Sequence, residues 1–307
     1  MRTRWGEKRY YSLDYFLKEV YGEKLYKISL DGGMTCPNRD GTLDTRGCIF
    51  CSAGGSGDFA SDRKLSVTEQ IEQGKSQVSA KYSGGSYIAY FQAYTNTYAS
   101  EDYLRSIYME AIHHPDIRIL SIATRPDCLG TEVLQLLDEL NQIKPVWVEL
   151  GLQTMHADSA AFIRRGYELS VFEQAVTSLR SINIPVIVHT ILGLPGEDTR
   201  MMLDTIRYLN TQDIQGIKLQ LLHILEGTDL AAYYREHPFA LPTQEEYIAL
   251  VGQCIASLRQ DIVIHRLTGD GPGSILIEPK WTGHKRQVLN RLHSYLKTQD
   301  IWQGKEL

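Results

Sequence analysis

Beyond residue 24 the chain alternates between two hydrophobic rhythms. Short, nearly continuous apolar runs mark strands buried on both faces, and they fall at 25–30, 86–93, 118–123, 146–150, 186–190 and 216–222. Between them lie stretches whose apolar residues recur every three or four positions, as on one face of a helix. These are 67–81, 101–113, 131–142, 157–164, 171–182 and 200–209. In one of them Val133, Leu136, Leu137 and Leu140 make a single stripe. In another, Ser66 with Glu69 three residues on forms a capping box. The glycines at 54, 55 and 57 mark 54–66 as loop. Six β/α units in succession predict an α/β fold with a parallel sheet, right-handed crossovers and outer helices. The periodicity fits an open six-unit barrel and also permits a doubly wound sheet.

The flanks break this rhythm. Leu13, Phe16, Leu17 and Val20 fall at helical spacing, so 1–24 is expected to be a helical extension covering one end of the sheet. Its charges, Arg2, Arg4, Lys8, Arg9 and Lys18, read as a solvated face or as an RNA contact. Past Pro238 and Pro242 the pattern gives a helix at 244–258, a strand at 262–267, a turn-rich segment at 269–273 and a last helix at 288–297. The division expected is therefore 1–24, a core over 25–240, and a C-terminal extension over 241–307. Lys280, His284, Lys285, Arg286, Arg291 and Lys297 make that extension the most one-sidedly basic stretch, with Trp281 available for stacking on a base.

With 307 residues and 43% apolar content, the chain can bury one large core. No apolar segment follows the charged N-terminus, and runs such as 184–188 are far too short for a bilayer. A cytoplasmic protein with no membrane partner is expected, its thiols kept reduced. The net charge of −5 argues against a generally basic nucleic-acid binder but allows a local basic patch.

The chemistry concentrates after the first strand. Cys36, Cys48 and Cys51 lie within sixteen residues, and the last two form a Cys-x-x-Cys pair. Thiols this close are disulfide partners or ligands for a soft metal or an iron–sulfur cluster. Five cysteines cannot all pair within one chain, and no fourth Cys or His stands nearby to close a structural zinc shell. Three ligands leave a metal position open. Beyond the other strands stand Gln92 and Tyr94, then Arg125 and Asp127, then Glu149 and Gln153, with His189, Lys218 and His223 further on. In parallel α/β folds such strand ends carry the site. Glu149 in an apolar strand is costly to bury without a partner and should point inward. Arg125 and Asp127 read equally as a structural ion pair, His189 as a hydrogen-bonded core histidine, and Cys128 as an inert thiol.

The cysteine block, with Phe50 just before the last cysteine, resembles the radical S-adenosylmethionine (SAM) superfamily. Most members space the first two cysteines three apart. The gap of eleven here resembles the branch of the catalytic subunit of Elongator. The run from Leu25 through Cys36-Pro-Asn-Arg-Asp-Gly-Thr narrows it to a likeness with the bacterial YhcC/YtqA family, over nearly the whole chain. The resemblance implies a partial (β/α)6 barrel and a [4Fe–4S] cluster on Cys36, Cys48 and Cys51. It implies SAM on the free iron, a 5′-deoxyadenosyl radical, and an electron donor such as flavodoxin or ferredoxin. It places Phe50 at the adenine and Gln92, Tyr94, Arg125, Glu149 and Gln153 around SAM. Arg165 of Arg164-Arg165-Gly166 is expected to pair the SAM carboxylate. Gly193 and Leu194 of the Gly-Leu-Pro-Gly-Glu197 element are expected to line the adenine with backbone. The Gly-Gly-Glu-like motif many members carry after strand two is missing. The implied substrate is tRNA, at the wobble-uridine side chain, from carboxymethylaminomethyl toward aminomethyl. The alternatives are a radical enzyme acting on a protein or small molecule, and a non-catalytic iron–sulfur or zinc protein that binds RNA.

Overall fold

In the computed structural model, which describes residues 5–55, 57, 60–80, 84–269 and 271–307, nine strands and ten helices follow one another among the described residues. The strands are β1 (Tyr26–Leu30), β2 (Tyr87–Phe91), β3 (Ile117–Thr124), β4 (Val146–Gln153), β5 (Val186–Leu192), β6 (Gly216–Leu221), β7 (Ile224–Leu225), β8 (Val263–Arg266) and β9 (Leu276–Glu278). The helices are α1 (Leu13–Tyr21), α2 (Val67–Val78), α3 (Glu101–His113), α4 (Thr131–Ile143), α5 (Ala157–Phe162), α6 (Leu169–Ser181), α7 (Thr199–Leu209), α8 (Asp229–Glu236), α9 (Gln244–Ala256) and α10 (Lys285–Thr298).

β1 to β6 pair in chain order, all parallel, and β8 adds to β6 as a seventh parallel strand. The sheet curls into a half-barrel, an open α/β fold, and not a doubly wound sheet. The expected six strands thus become seven, the last supplied by the stretch read as a C-terminal extension. β8 was visible as an apolar run, but periodicity does not say which sheet a strand joins. α8 and the small antiparallel pair β7–β9 fell below the pattern's resolution, being eight, two and three residues long.

The two faces of the sheet divide by the period-two rule. Outward positions such as Phe91, Leu120, Ile122, Val148, Leu150 and Val188 pack beneath Tyr108, Leu136, Leu140, Phe172, Leu179 and Ile206 of the helices. Inward positions change character along the strands. At the start of the strands Ile88, Ile119, Trp147 and Ile187 form an apolar layer, closed from below by Leu17 and Leu25. α1 therefore plugs that end, as its stripe implied, capped by Ser12 at its start and by left-handed Gly22 at its end. Val20 is the exception and stands 56% exposed. The Tyr11–Ser12 segment also bridges to Ile264 on the edge of β8. Arg2 and Arg4 of the expected basic face, Lys81 at the expected end of α2, and Asp270 lie outside the described residues.

Candidate active site

β1 ends at Leu30, and the cysteine loop begins at the same end of the sheet where β2 to β6 finish. Local hydrogen bonds fold the long gap back on itself. The Cys36 carbonyl accepts from Arg39 N at 2.8 Å, Pro37 O from Leu43 N at 2.8 Å, and Asn38 O from Gly47 N at 2.7 Å. Gly47 holds a left-handed φ of 79°, where a Cβ would come within 2.8 Å of the Arg39 side chain. Cys48 is thereby returned toward Cys36, and Cys51 N closes a turn on Cys48 O at 3.0 Å. Arg39 Nη2 donates to Cys51 O at 3.0 Å and Ser52 O at 2.6 Å, while its guanidinium lies over the Tyr94 ring. Tyr94 in turn donates to Ala53 O.

None of the five cysteines is in a disulfide. Cys36, Cys48 and Cys51 line one cavity of about 200 Å³. Phe50, Gln92, Tyr94, Arg125, Glu149, Gln153 and Arg165 line it too, so the structure assembles there ten of the twelve expected site residues. A second space of about 580 Å³ shares Phe50, Cys51, Tyr90, Gln92, Gln153 and His189 with it. It runs between β1 (Tyr26, Lys27) and the β8 end (Arg266, Gly269), the two edges that do not pair, and reaches Lys285. Lys218 lines the first cavity and His223 the second, both as expected.

Beneath the cysteines the barrel interior is polar. Glu149, 1% exposed, accepts from Lys27 Nζ at 2.5 Å and Ser121 Oγ at 2.8 Å on one oxygen. Its other oxygen meets His189 Nε2 at 2.7 Å and the Lys218 ammonium. Lys218 Nζ also donates to Tyr90 Oη at 3.0 Å, and both lysines sit 4.5 Å from that ring's centre. Five successive strands, β2 to β6, thus each give one inward polar side chain to a single network, and β1 adds Lys27. Burial alone would raise the Glu149 carboxyl, but Lys218, Lys27 and the His189 bond hold it well below the carboxylate range. Burial, then Lys218, pushes His189 down to about 4, so it is neutral near pH 7. Burial lowers Lys218 to about 7 against the pull of Glu149.

Several expected roles change on contact with the geometry. Arg165 lines the cavity, but Nη1 donates to the carbonyls of Leu152 (3.1 Å) and Thr154 (2.7 Å), and Nε to Tyr167 O (3.1 Å). That leaves only Nη2 for a carboxylate, so a two-nitrogen fork on SAM is not what this conformation offers. Arg125 forms a bidentate pair with Asp127 at 2.9 and 2.7 Å, which is the structural reading of that pair, while still facing Cys36 across the cavity. Gly193 and Leu194 line neither cavity. Gly193 N reaches Met202 Sδ, and Leu194 is buried with Ile49, Ile163 and Leu222 in the cluster against which Phe50 packs. Cys128 stays outside the cavity, its thiol pushed up to about 12 by burial. Trp281 is not available for stacking: its Nε1 donates to Pro242 O and its ring packs on Tyr247. Sequence reasoning did not single out Lys27, Tyr90, Asn38, Arg39 or Tyr167. A lysine in the first apolar strand was the one visible signal among them.

A parallel half-barrel with a three-thiol loop beyond its first strand is the architecture of a radical SAM enzyme. The chain belongs to that superfamily: the Radical SAM superfamily model matches residues 45–209, and the Radical_SAM C-terminal domain model matches 214–298. Cys48 and Cys51 fall inside the first match, and Cys36 precedes it. Within the superfamily it groups with YtqA of Bacillus subtilis, 42% identical over 97% of this chain and 93% of that protein. YhcC of Escherichia coli is 34% identical over 95% and 93%. A tRNA uridine(34) acetyltransferase of Methanocaldococcus jannaschii is more distant, 24% identical over 59% of this chain and 33% of that protein. Among solved structures, Methanocaldococcus infernus Elp3 superposes with a TM-score of 0.68 at 14% identity, over 91% of this chain and 64% of the other. The superfamily uses a [4Fe–4S] cluster and SAM. Three soft sulfurs on one cavity wall, with a larger space beside them, fit that pair. No helix among the described residues is long and apolar enough to cross a membrane.

Proposed function

We propose that the chain is a radical SAM enzyme that modifies the wobble-uridine side chain of tRNA, acting on carboxymethylaminomethyluridine toward the aminomethyl form. Cys36, Cys48 and Cys51 would hold the cluster, and Phe50, Gln92, Tyr94, Gln153 and Arg165 would surround SAM. When bound, this pair supplies a 5′-deoxyadenosyl radical able to abstract hydrogen from a carbon of the substrate. The chain's own part is to orient and shield. The Glu149 network, with a neutral His189, fixes the floor of the cavity. The gap between the β1 and β8 edges gives a base on a large molecule a lateral way in.

The observation that carries the tRNA reading is the likeness to the tRNA uridine(34) acetyltransferases, 24% identical over 59% of this chain. Contact with phosphates falls to α10, where Lys285 and Arg286 are exposed and Lys285 borders the entry. Arg291 is already engaged by Glu245 and Gln244. The test is nucleoside profiling of tRNA from a strain lacking the gene, beside anaerobic reaction of the purified protein with that tRNA. Accumulation of carboxymethylaminomethyluridine, converted by the protein, is expected. An unchanged nucleoside profile would move the substrate to a protein or small molecule.

A further inference from the structure

The residue two places beyond Cys36 does more than continue the loop. Asn38 is 1% exposed, and its Nδ2 lies 3.5 Å from Cys48 Sγ, 2.8 Å from Arg164 O and 3.4 Å from Arg165 O. The two carbonyls fix the orientation of the amide. With Oδ1 turned to their side, three oxygens would face one another without a proton between them, so the NH2 group must point there. Its two hydrogens face three acceptors, the carbonyls of Arg164 and Arg165 and the Cys48 sulfur. The packing holds the amide in place. Gly166 has a left-handed φ of 83°, and a Cβ there would stand 2.9 Å from Asn38 Oδ1 and 3.3 Å from Arg125 Nη2. The Cys48 thiol can itself donate to Arg164 O at 3.7 Å. Once that sulfur is a deprotonated ligand it can only accept, and Asn38 is the donor in position.

We propose that Asn38 is a positioning residue that sets the reduction potential of the iron–sulfur cluster by an N–H···S hydrogen bond to Cys48. The inference rests on the assignment of Cys48 as a cluster ligand. Reduction adds negative charge that spreads onto the ligand sulfurs, and a donor aimed at one of them stabilises the reduced state more than the oxidised one. Because Asn38 is buried and its amide is the donor beside this sulfur, its removal should shift the potential to more negative values. The same side chain also ties the cysteine loop to the Arg164–Gly166 turn, so cluster and neighbouring pocket wall share one anchor.

The test is made on anaerobically reconstituted full-length protein, with iron and sulfide counted first. Redox titration followed by EPR compares the parent with Asn38→Ala and with Asn38→Leu, which keeps the approximate shape and the charge but loses the N–H. Both variants are expected to titrate at more negative potential than the parent, at equal cluster content. An Asn38→Ala protein with a full cluster and the parent's potential would overturn the proposal. A measurement on the parent alone covers variants that fail to hold a cluster. With 15N placed in asparagine side chains, the dithionite-reduced cluster should show a nitrogen hyperfine coupling in pulsed EPR. Its absence overturns the proposal whatever the variants do. A parent that takes up no iron and sulfide would instead remove the premise, and the function proposed above with it.

Discussion

Replacing Glu149 with Gln changes one atom and removes the carboxylate that, among the described residues, the interior network is built on. In the native protein that carboxylate has Lys27 and Lys218 as ion-pair partners and hydrogen bonds from Ser121 and His189, at 1% exposure. A Gln amide can accept on one side only, and its NH2 would be driven against an ammonium. Removing one partner of a buried ionic group costs roughly 3–5 kcal/mol, because the remaining charges are left uncompensated. For a chain above two hundred residues each kcal/mol lowers Tm by about 2–4 °C, so a loss of roughly 6–20 °C is expected. The assay is thermal and urea unfolding of the apoprotein under anaerobic conditions, with Lys218→Met and the double variant beside it. Taking away an ammonium along with the carboxylate should recover part of the loss, since groups in contact are not additive. A Glu149→Gln protein as stable as the parent would refute the network as the anchor of the barrel floor. So would a double variant as unstable as the sum of the two single ones.

Three further outcomes follow from the same geometry. His189 is held down at about 4, against an ordinary 6.5, so between those values the unfolded chain binds the extra proton. Stability should therefore fall as pH drops from 6.5 to 4, by up to about 3 kcal/mol at ~1.4 kcal/mol per unit, and His189→Gln should flatten that slope in urea titrations. Arg165→Ala strips donors from the carbonyls of Leu152, Thr154 and Tyr167, and should destabilise the apoprotein by roughly 1–3 kcal/mol or more; a melting curve identical to the parent's would show that the guanidinium fastens nothing. Cys128→Ala and Cys254→Ala should take up iron and sulfide as the parent does, whereas alanine at Cys36, Cys48 or Cys51 should abolish the cluster.

The sequence showed the β/α alternation because each strand is buried on both faces and each helix on one, which gives two distinct periods. The long helices α3, α4 and α7 sit within a residue of where their stripes place them. The cysteines were visible because their spacing is local. Glu149 was visible because a carboxylate in an apolar strand has to be explained. What stayed hidden depends on contacts between distant segments. Nothing local in Asn38 says that Arg164 will stand beside it, and nothing local in Arg165 says that three carbonyls will occupy its guanidinium. Tyr90 read as one more aromatic in a buried strand, since only the closed curve of the sheet brings it against Lys27 and Lys218. Trp281 looks available for stacking because the polar stretch around it hides the fold-back onto Tyr247.

The central claim is that the three-thiol cavity holds a cluster which cleaves SAM. It is tested most directly by reconstituting the protein anaerobically, reducing it with dithionite in the presence of SAM, and measuring 5′-deoxyadenosine together with methionine. The account predicts both products in equal amounts from the parent and neither from Cys36→Ala, Cys48→Ala or Cys51→Ala. Zinc in place of iron, or a fully loaded cluster that yields no 5′-deoxyadenosine, would contradict it.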